Sequence, residues 1–238
     1  MYHHVNSDRC SNDLAIFEEH LKYIKNNFKT IFPGEKVEKK SLCLTFDDAY
    51  ADFYFLIFPL LKKYNLKALL AIPSKYILEN TTQLAENRMN FEHNDLFKNY
   101  EKATFCTYEE LKEMRDSKLV VFGSHSHSHI DLTQDSVDLN LELKVSKEIL
   151  EEKLQVEIES FVFPFGKYNQ EVLQESKKLY KYNFRIGNAI HKDFNGINGA
   201  IYRVDGDGLK TADEIFKASK ILKYRFKGIV KRLGKKWI

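Results

Sequence analysis

Two adjacent carboxylates, Asp47 and Asp48, end an apolar segment of the sequence. In the segment 41–46, larger apolar side chains alternate with smaller residues, which is typical of a buried strand. Ligands of α/β sheets and barrels bind at the carboxyl ends of the strands, so this pair is predicted to reach a binding crevice. The alternative is that both aspartates only cap the following helix.

Three histidines follow a second apolar segment, 119–122, and lie within five residues: His125, His127 and His129. Imidazoles at this spacing can converge on one metal ion, and neutral imidazole suits zinc and similar ions. Two histidines and one aspartate leave positions free for water and substrate, as in a catalytic metal site. The alternative is a structural role, which is more common for a lone histidine than for three at a strand end.

A third feature is the turn at Pro164, Phe165 and Gly166, which follows the apolar segment 161–163. Proline and glycine together predict a rigid turn, at the same edge as the other two features. Considered alone, it would be interpreted as an ordinary turn.

The elements that must position these residues alternate between strand and helix along the chain, which predicts βα units and a parallel sheet. The predicted strands are 2–5, 41–46, 67–72, 119–122, 161–163, 184–186 and 201–204. Seven such strands would close into a barrel or nearly so. The predicted helices are 17–28, 53–64, 107–117, 136–153, 170–182 and 212–222, and 78–102 is predicted to be an insertion or long loop of mixed structure.

Composition narrows the class of protein. The 238 residues suffice for one large domain, and a net charge of +3 without an aromatic-and-basic motif gives no indication of nucleic-acid binding. Three widely spaced cysteines argue against a disulfide framework and fit a reducing compartment. The sequence starts without a recognisable signal peptide and has no apolar run of about 18 residues, so we expect a cytoplasmic protein.

Over residues 2–204, these motifs resemble the polysaccharide deacetylases of the NodB-homology type, carbohydrate esterase family 4. The segment 45–48 is similar to the first motif of that family, 125–129 to the second and 164–166 to the core of the third. The resemblance implies the α/β class with a distorted (β/α)7 barrel. It also implies a divalent metal, with zinc expected and cobalt or nickel as alternatives, and hydrolysis of N-acetyl groups on sugars.

Carried over to this sequence, the resemblance implies a role for each matching residue. Asp47 would be the general base. Asp48, His125 and His129 would hold the metal, and the main-chain N–H of Phe165 would help to bind the oxyanion. In the family, Tyr usually occupies the position of Phe165, but the backbone donor survives this change.

The sequence departs from the family pattern at two places. An arginine usually precedes the proline of the third motif by two residues, and Val162 is found there. Arg203 is the proposed replacement for orienting Asp47, unless it is an ordinary surface arginine. The C-terminal Leu-x-His motif is absent. The segment 1–3 instead resembles the N-terminal strand of a permuted branch, the deacetylases of biofilm poly-N-acetylglucosamine, so His3 is the predicted general acid and His4 the second candidate.

The chain is predicted to divide into a catalytic domain, 1–222, and a basic amphipathic tail, 223–238. Apolar residues of the tail recur at spacings of three and four and are surrounded by lysines and arginines, which is typical of a helix in the membrane interface: Phe226, Ile229, Val230, Leu233 and Trp237. The alternative is that this stripe packs on the barrel. Peripheral membrane contact would make a lipid-linked glycan precursor the expected substrate.

The predicted function is therefore removal of an N-acetyl or other N-acyl group from a sugar of a surface glycan or its lipid-linked precursor. One alternative is a catalytically inactive carbohydrate-binding protein of the same fold, since two family features are missing. Another is an amidohydrolase-like metal hydrolase that uses His125 and His127 as a pair.

Overall fold

A parallel sheet of six strands forms the centre of the computed structural model, which describes residues 1–234. The strands in chain order are β1 (His4–Val5), β2 (Ser11–Asn12), β3 (Lys29–Thr30), β4 (Ser41–Leu42), β5 (Leu44–Phe46), β6 (Ala68–Ile72), β7 (Val120–Ser124), β8 (Ser160–Val162), β9 (Tyr182–Ile186) and β10 (Ile201–Arg203). The central sheet runs from β5 to β10 in order, and every neighbouring pair is parallel. Each strand pairs with the next one along the chain, the adjacency that sequential elements usually show.

The first two residues fill the gap between the two edges of the sheet. The backbone N–H of Tyr2 donates to the carbonyl of Thr45 at 3.0 Å, and the N–H of Asp47 donates to the carbonyl of Tyr2 at 3.0 Å. On the other side, the backbone nitrogen of Met1 donates to the carbonyl of Val204 at 2.6 Å. This segment is the seventh strand position, and the predicted α/β distorted (β/α)7 barrel is confirmed.

Helices cover the outside of the sheet. The α-helices are α1 (Leu14–Asn27), α2 (Phe58–Tyr64), α3 (Ala85–Met89), α4 (Tyr108–Asp116), α5 (Ser146–Leu154), α6 (Gln170–Leu179) and α7 (Ala218–Leu233). Two π-helical segments, Phe53–Ile57 and Asn140–Val145, lead directly into α2 and α5. Pro59 is the second residue of α2, directly after the π-helical segment Phe53–Ile57.

The segment 78–102 has the mixed structure that was predicted. It contains α3 and the 3₁₀ turns His93–Asp95 and Phe97–Lys102. Arg88 anchors it, because its buried guanidinium pairs with Glu110 at 2.5 Å and 2.8 Å and also donates to backbone carbonyls. Glu110 in turn forms a capping box with Thr107 at the start of α4. The segment is thereby fixed against the barrel.

Strand alternation gives the barrel an apolar interior that becomes polar at the carboxyl edge. The interior cluster consists of apolar side chains from four strands and is formed by Leu69, Ala71, Val162, Phe184 and Ile201. Thr45 is the register partner of Leu69, so Asp47, two residues later, is expected on the interior face. Arg203, two residues after Ile201, faces the same space. The strand register therefore brings together Asp47, which follows β5, and Arg203, the last residue of β10.

The last helix differs from the prediction. The predicted helix 212–222 is wrong: α7 begins at Ala218 and continues to Leu233, across the predicted boundary after residue 222. The residues before it form a 3₁₀ turn, Glu214–Phe216, which is held against α1. The ring of Phe216 packs on Phe28 with centroids 4.6 Å apart and also contacts His20, so this segment follows the surface of α1 and does not join the helix.

Helix α7 contacts the barrel on one face only. Tyr224 and Gly228 are its buried residues, and a Cβ at Gly228 would lie 3.6 Å from the carbonyl oxygen of Ile190. Within residues 1–234, the structure contains no helix with the length and apolar character needed to cross a bilayer. Lys235, Lys236 and Trp237 of the predicted tail lie outside the described residues.

Candidate metal centre and active site

Strand β5 delivers Asp47 and Asp48 to the carboxyl edge of the barrel, and both side chains are almost completely buried. Asp48 and the next residue, Ala49, have positive φ angles of 71° and 56°, a turn that separates the directions of the two carboxylates. Backbone strain of this kind is common at functional sites. In the described chain neither carboxylate accepts a capping bond from the next helix, so the capping alternative is wrong.

Arg203, at the end of β10, forms a buried bidentate ion pair with Asp47. Its Nη1 lies 2.5 Å from Oδ1 and its Nη2 lies 2.7 Å from Oδ2. Burial alone raises the pKa of Asp47, but the guanidinium outweighs burial and holds this pKa well below its usual range. Asp47 is therefore ionised at neutral pH. Because Arg203 is buried, the interpretation of it as a surface arginine is wrong.

Val162 explains why the arginine can come from β10. Its side chain belongs to the apolar interior cluster and contributes no charge there. Arg203 reaches the same interior from two strands away and also donates to the hydroxyl of Thr45 at 3.2 Å. Asp47 therefore has a guanidinium partner although position 162 is apolar.

Asp48, His125 and His129 bring three potential metal ligands together, as predicted. Oδ1 of Asp48 lies 3.4 Å from Nε2 of His125 and 3.1 Å from Nε2 of His129. The ligand atoms all lie within 4.8 Å of one another. Atoms at these separations can share one ion whose bonds are about 2 Å long.

The bonding around this cluster leaves the three ligand atoms available to a cation. Nδ1 of His125 donates to the carbonyl of Val162 at 2.7 Å, which places the lone pair of the neutral ring on Nε2. Oδ1 of Asp48 is buried and has no hydrogen-bond partner among residues 1–234. A buried polar atom without a partner is costly, and a metal would satisfy it. Two imidazoles and a carboxylate suit zinc, cobalt or nickel.

Aromatic rings hold His129 in place. It stacks on Phe97 with centroids 4.7 Å apart and meets Phe165 edge-on at 4.8 Å. Burial lowers the pKa of His129 to about 4, although the Asp48 carboxylate opposes this shift. The ring is therefore neutral at pH 7 and can bind a metal without losing a proton.

The loop that carries the two ligand histidines is fixed by hydrogen bonds. The hydroxyl of Ser126 accepts the backbone N–H of His129 at 3.0 Å, and both residues have positive φ angles, of 67° and 51°. Buried Glu142 accepts the N–H groups of His127 and Ser128 at 3.0 Å and 2.8 Å. These bonds hold the loop in a strained conformation.

His127 turns away from the cluster. Its Nδ1 is paired with the hydroxyl of Ser74 at 2.9 Å, and it is not among the three residues that converge with Asp48. The side chains of His125 and His127 point in different directions. The amidohydrolase-like pairing of these two histidines is therefore wrong.

His3 reaches the site from the N-terminal strand position. Its Nε2 lies 3.8 Å from Oδ2 of Asp47, and its Nδ1 donates to Oδ2 of Asp207 at 2.6 Å. Burial lowers the pKa of His3, but the hydrogen bond to Asp207 and the nearby carboxylates outweigh it and raise this pKa to about 9. The ring therefore carries a proton at neutral pH, as a general acid requires.

His4, the second candidate acid, points elsewhere. Its Nδ1 lies 3.3 Å from both carboxylate oxygens of Asp52, and its side chain does not line the cavity that contains His3. Successive side chains of an extended segment point to opposite faces, so two adjacent histidines cannot both face the barrel axis. The proposal of His4 as an acid is wrong for this reason.

Phe165 lies at the rim of the site with 56% of its surface exposed. Its φ angle is 56° and that of Gly166 is 65°. A Cβ at Gly166 would lie 3.3 Å from the backbone nitrogen of Ile186, so only glycine fits this close turn. The turn places Phe165 where it was predicted, and the role of its N–H stays a prediction.

The sequence analysis missed Asp207 and Glu142. Asp207 follows β10 as Asp47 follows β5, so the rule that carboxylates after a strand reach the binding edge would have found it. Glu142 lies in a π-helical segment far from the motifs, and nothing in its surroundings in the sequence marks it.

The candidate metal ligands, the proposed base Asp47 and His3 line one cavity of about 600 Å³. Its polar wall is formed by His3, Asp47, Asp48, His125 and His129. Aromatic and aliphatic side chains complete the opposite walls and are provided by Tyr76, Phe97, Phe163, Phe165 and Ile186. A cavity of this size, in which polar groups converge between apolar walls, is typical of small-molecule binding sites.

A parallel barrel with an Asp-His-His cluster and a neighbouring Asp-Arg pair defines a hydrolase-like site, and comparison with known proteins identifies the family. The model of the family described as polysaccharide deacetylase matches residues 34–183. The chain belongs to the polysaccharide deacetylase family, and the resemblance seen in its motifs is confirmed.

Individual relatives are more distant. YxkH of Bacillus subtilis is 27% identical over 193 residues, which cover 75% of this chain and 60% of YxkH. The poly-beta-1,6-N-acetyl-D-glucosamine N-deacetylase of Escherichia coli K12 is 25% identical over 174 residues, 61% of this chain and 25% of that protein. The chain thus spans 60% or less of these relatives. The structure of Streptococcus pyogenes deacetylase PplD in complex with acetate superposes with a TM-score of 0.70 at 24% identity and 94% coverage of both chains, which shows the fold.

Proposed function

We propose that this protein is a metal-dependent hydrolase that removes an N-acetyl or other N-acyl group from a sugar. The observation that carries the proposal is the convergence of three groups in one cavity: the Asp48-centred ligand cluster, the Asp47–Arg203 pair and the His3–Asp207 pair. Acyl transfer to water needs a base, an acid and a site for the developing negative charge, and each group supplies one of these.

Asp47 is the proposed general base. Arg203 keeps it ionised and fixes both oxygens, so it can accept a proton from water as that water attacks the amide carbonyl carbon. A metal held by Asp48, His125 and His129 would polarise the carbonyl and acidify the water. The lowered pKa of Asp47 keeps the carboxylate deprotonated in the free enzyme.

His3 is the proposed general acid. Its protonated ring stands 3.8 Å from Asp47, so acid and base face the same cavity. Proton donation to the amine nitrogen lets the C–N bond break and releases the acetate and the free amine. The N–H of Phe165, at the rim, is the proposed additional donor to the oxyanion.

Acetate release from N-acetylglucosamine oligomers, measured with and without added zinc, cobalt or nickel after chelation, tests this function. We expect release that depends on the metal. The inactive carbohydrate-binding alternative predicts that metal-loaded protein binds the oligomer but releases no acetate. The intact acid, base and ligand sets favour the enzyme.

The pH dependence of the reaction should report the His3–Asp207 pair. The pKa of His3 is about 9, so we expect activity to fall as the pH rises through this value and the acid loses its proton. In Asp207→Asn the carboxylate that raises this pKa is gone, and the alkaline limb should move to lower pH by on the order of 1 unit or more. The pH–rate profile of kcat/KM measures it.

The neighbouring exposed residue Asp205 provides a matched control for that variant. It does not contact His3, and an asparagine there can still accept the bond from the N–H of Asp207. Asp205→Asn should keep the wild-type alkaline limb. An alkaline limb that stays in place in Asp207→Asn would contradict His3 as the acid.

Helix α7 presents an apolar stripe to solvent. The residues opposite its docked face are exposed: Leu222, Phe226, Ile229, Val230 and Leu233. Phe226 and Leu233 are exposed to 64% and 78%. Basic residues flank the stripe on both sides. The alternative, that the predicted stripe packs on the barrel, is wrong for the four of its residues that the structure describes, Phe226, Ile229, Val230 and Leu233.

We propose that this stripe lies in the interface of an anionic membrane. Apolar residues on one face with basic residues beside them are the features of interfacial helices. The proposed substrate is then a sugar of a surface glycan or its lipid-linked precursor, and the proposed location is the cytoplasmic side of the membrane. The three free cysteines support a reducing compartment.

Vesicle co-sedimentation tests the membrane proposal. We expect the full chain to bind phosphatidylglycerol vesicles at low salt and to bind phosphatidylcholine vesicles weakly. The variant Phe226→Ser/Ile229→Ser/Leu233→Ser should lose binding, because each buried side chain contributes about 1.5 to 3 kcal/mol. Lys223→Gln/Arg225→Gln/Lys227→Gln should weaken it by about 1 kcal/mol per charge.

A control for the apolar variant is Leu84→Ser, which removes another exposed leucine on a distant element. It should bind like the wild type. Because Tyr224 and Gly228 are untouched in all variants, α7 should remain docked. Equal sedimentation of the wild type and the triple serine variant would contradict the proposal.

A further inference from the structure

Three side chains outside the catalytic set form a hydrogen-bonded row that ends in the active-site cavity. Nδ1 of His4 lies 3.3 Å from both oxygens of Asp52, and Nε2 of His4 lies 3.2 Å from Nδ1 of His93. His93 belongs to the segment 78–102 and lines the cavity that contains the candidate metal ligands. The mechanism described above uses none of the three.

The row is built into the fold. Asp52 and His4 are buried, and the N–H of Val5 donates to Oδ2 of Asp52 at 2.9 Å. His4 also stacks on the ring of Tyr50 with centroids 4.0 Å apart and an interplanar angle of 14°. The backbone N–H of His93 donates to Asp8 at 2.8 Å, which holds the far end. Both imidazoles therefore have fixed positions.

When each ring carries a single proton, hydrogen-bond direction determines the tautomers of both rings in this row. The carboxylate of Asp52 only accepts, so Nδ1 of His4 must donate to it. Nε2 of His4 then carries a lone pair, and Nδ1 of His93 must donate to that lone pair. Nε2 of His93 is left without a proton and has no protein partner in residues 1–234. Burial lowers the pKa of His93, which keeps this ring neutral.

We propose that Nε2 of His93 is a fixed hydrogen-bond acceptor for a hydroxyl group of the sugar substrate. A lone acceptor whose tautomer is imposed by buried groups selects a donor, and the hydroxyls of an N-acetylated sugar outnumber its other donor, the amide N–H. This inference rests on the proposed function and assigns a role in substrate binding to the segment 78–102. His93 acts on binding and is not a proton carrier in the reaction.

The tautomers are measured directly by ¹⁵N NMR of the histidine side chains. In the wild type, Nε2 of His93 should resonate as an unprotonated nitrogen and its Nδ1 as a protonated one. In Asp52→Asn the amide oxygen should stay with the N–H of Val5, so its NH₂ group faces His4 and both rings must reverse. Nε2 of His93 should then be protonated. If both rings had the same tautomers in the two proteins, the claim that Asp52 sets the tautomer of His93 through His4 would be wrong.

Binding is measured in the same spectra with a β-1,6-linked N-acetylglucosamine pentamer as the probe. We expect the Nε2 resonance of His93 to move on titration of the wild type and not of Asp52→Asn. This measurement needs no turnover, so it separates failure of this inference from failure of the proposed activity. Saturable binding that leaves the Nε2 resonance unmoved, or no binding at all, would overturn the acceptor role.

Kinetics distinguish an acceptor from a merely structural residue. His93→Ala should raise KM about 3- to 10-fold with kcat nearly unchanged, because one hydrogen bond is lost in ground and transition states alike. His93→Gln should restore KM, since its NH₂ can donate to His4 while its oxygen accepts from the sugar. Among pentamers that each lack one hydroxyl, we expect one to bind the wild type more weakly than the unmodified pentamer does. His93→Ala should bind this pentamer and the unmodified one with equal affinity. Equal KM for wild type and His93→Ala would overturn the proposal.

Discussion

His125→Ala and His129→Ala should each purify without the divalent metal and lose nearly all activity. Each change removes one of only three protein ligands in the cluster around Asp48. Loss of the metal removes several kcal/mol of transition-state stabilisation, and about 4 kcal/mol corresponds to roughly 10³-fold in rate. Metal content by atomic absorption and acetate release from N-acetylglucosamine oligomers measure the two effects.

His127→Ala is the matched control, since it removes a histidine of the same loop that faces Ser74. It should keep the metal and most of the activity. Circular dichroism should show that all three variants are folded, because the loop is held by backbone bonds to Glu142 and Ser126 that the alanines leave in place. Wild-type metal content in both ligand variants would show that the metal is held elsewhere. Loss of metal in His127→Ala alone would show that His127, and not His125 and His129, is the metal ligand of this loop.

Asp47→Asn should keep the metal and lose about 10²- to 10⁴-fold in kcat, the usual range for removal of a general base. The amide cannot accept the proton of the attacking water, while Asp48 and its histidines are untouched. Metal content together with kcat separates this result from that of a ligand variant. A kcat within a few-fold of the wild type would exclude Asp47 as the base.

Arg203 also makes Asp47→Asn a test of stability. The guanidinium is buried and loses its counter-charge, which costs on the order of 3–5 kcal/mol when one partner of a buried pair is removed. We therefore expect a lower Tm and propose assays well below it. Arg203→Lys keeps the charge but not the bidentate geometry, so it should reduce kcat less than Asp47→Asn while retaining the metal.

Barrel closure explains how an acid from the N-terminal segment can serve a site at the ends of later strands. Met1 and Tyr2 lie between β5 and Val204, the residue after β10. Residues that follow this segment, β5 or β10 in the chain therefore reach the same carboxyl edge of the barrel. His3 and Asp207 meet across this seam at 2.6 Å. In a closed barrel, spatial order is cyclic while chain order is linear, and the acid can therefore lie at either end of the chain.

The sequence by itself determined the elements that depend on local pattern. Alternation of apolar residues and the turn after them place Asp47 and Asp48 at the end of a strand, and the capping box at Thr107 marks the start of α4. Motif spacing and the βα alternation together predicted the barrel class. These features follow from neighbours within a few residues, which is the range over which period and capping act.

Only the tertiary structure decided which distant residues meet. Arg203 lies 156 positions from Asp47 and Asp207 lies 204 from His3, and register across the closed barrel, not local pattern, brings each pair together. The same holds for α7, whose start is set by the packing of Phe216 on α1, and for its apolar stripe, which the docking of Tyr224 leaves exposed. A sequence pattern states which face is apolar, but only the surrounding surface decides whether that face is covered.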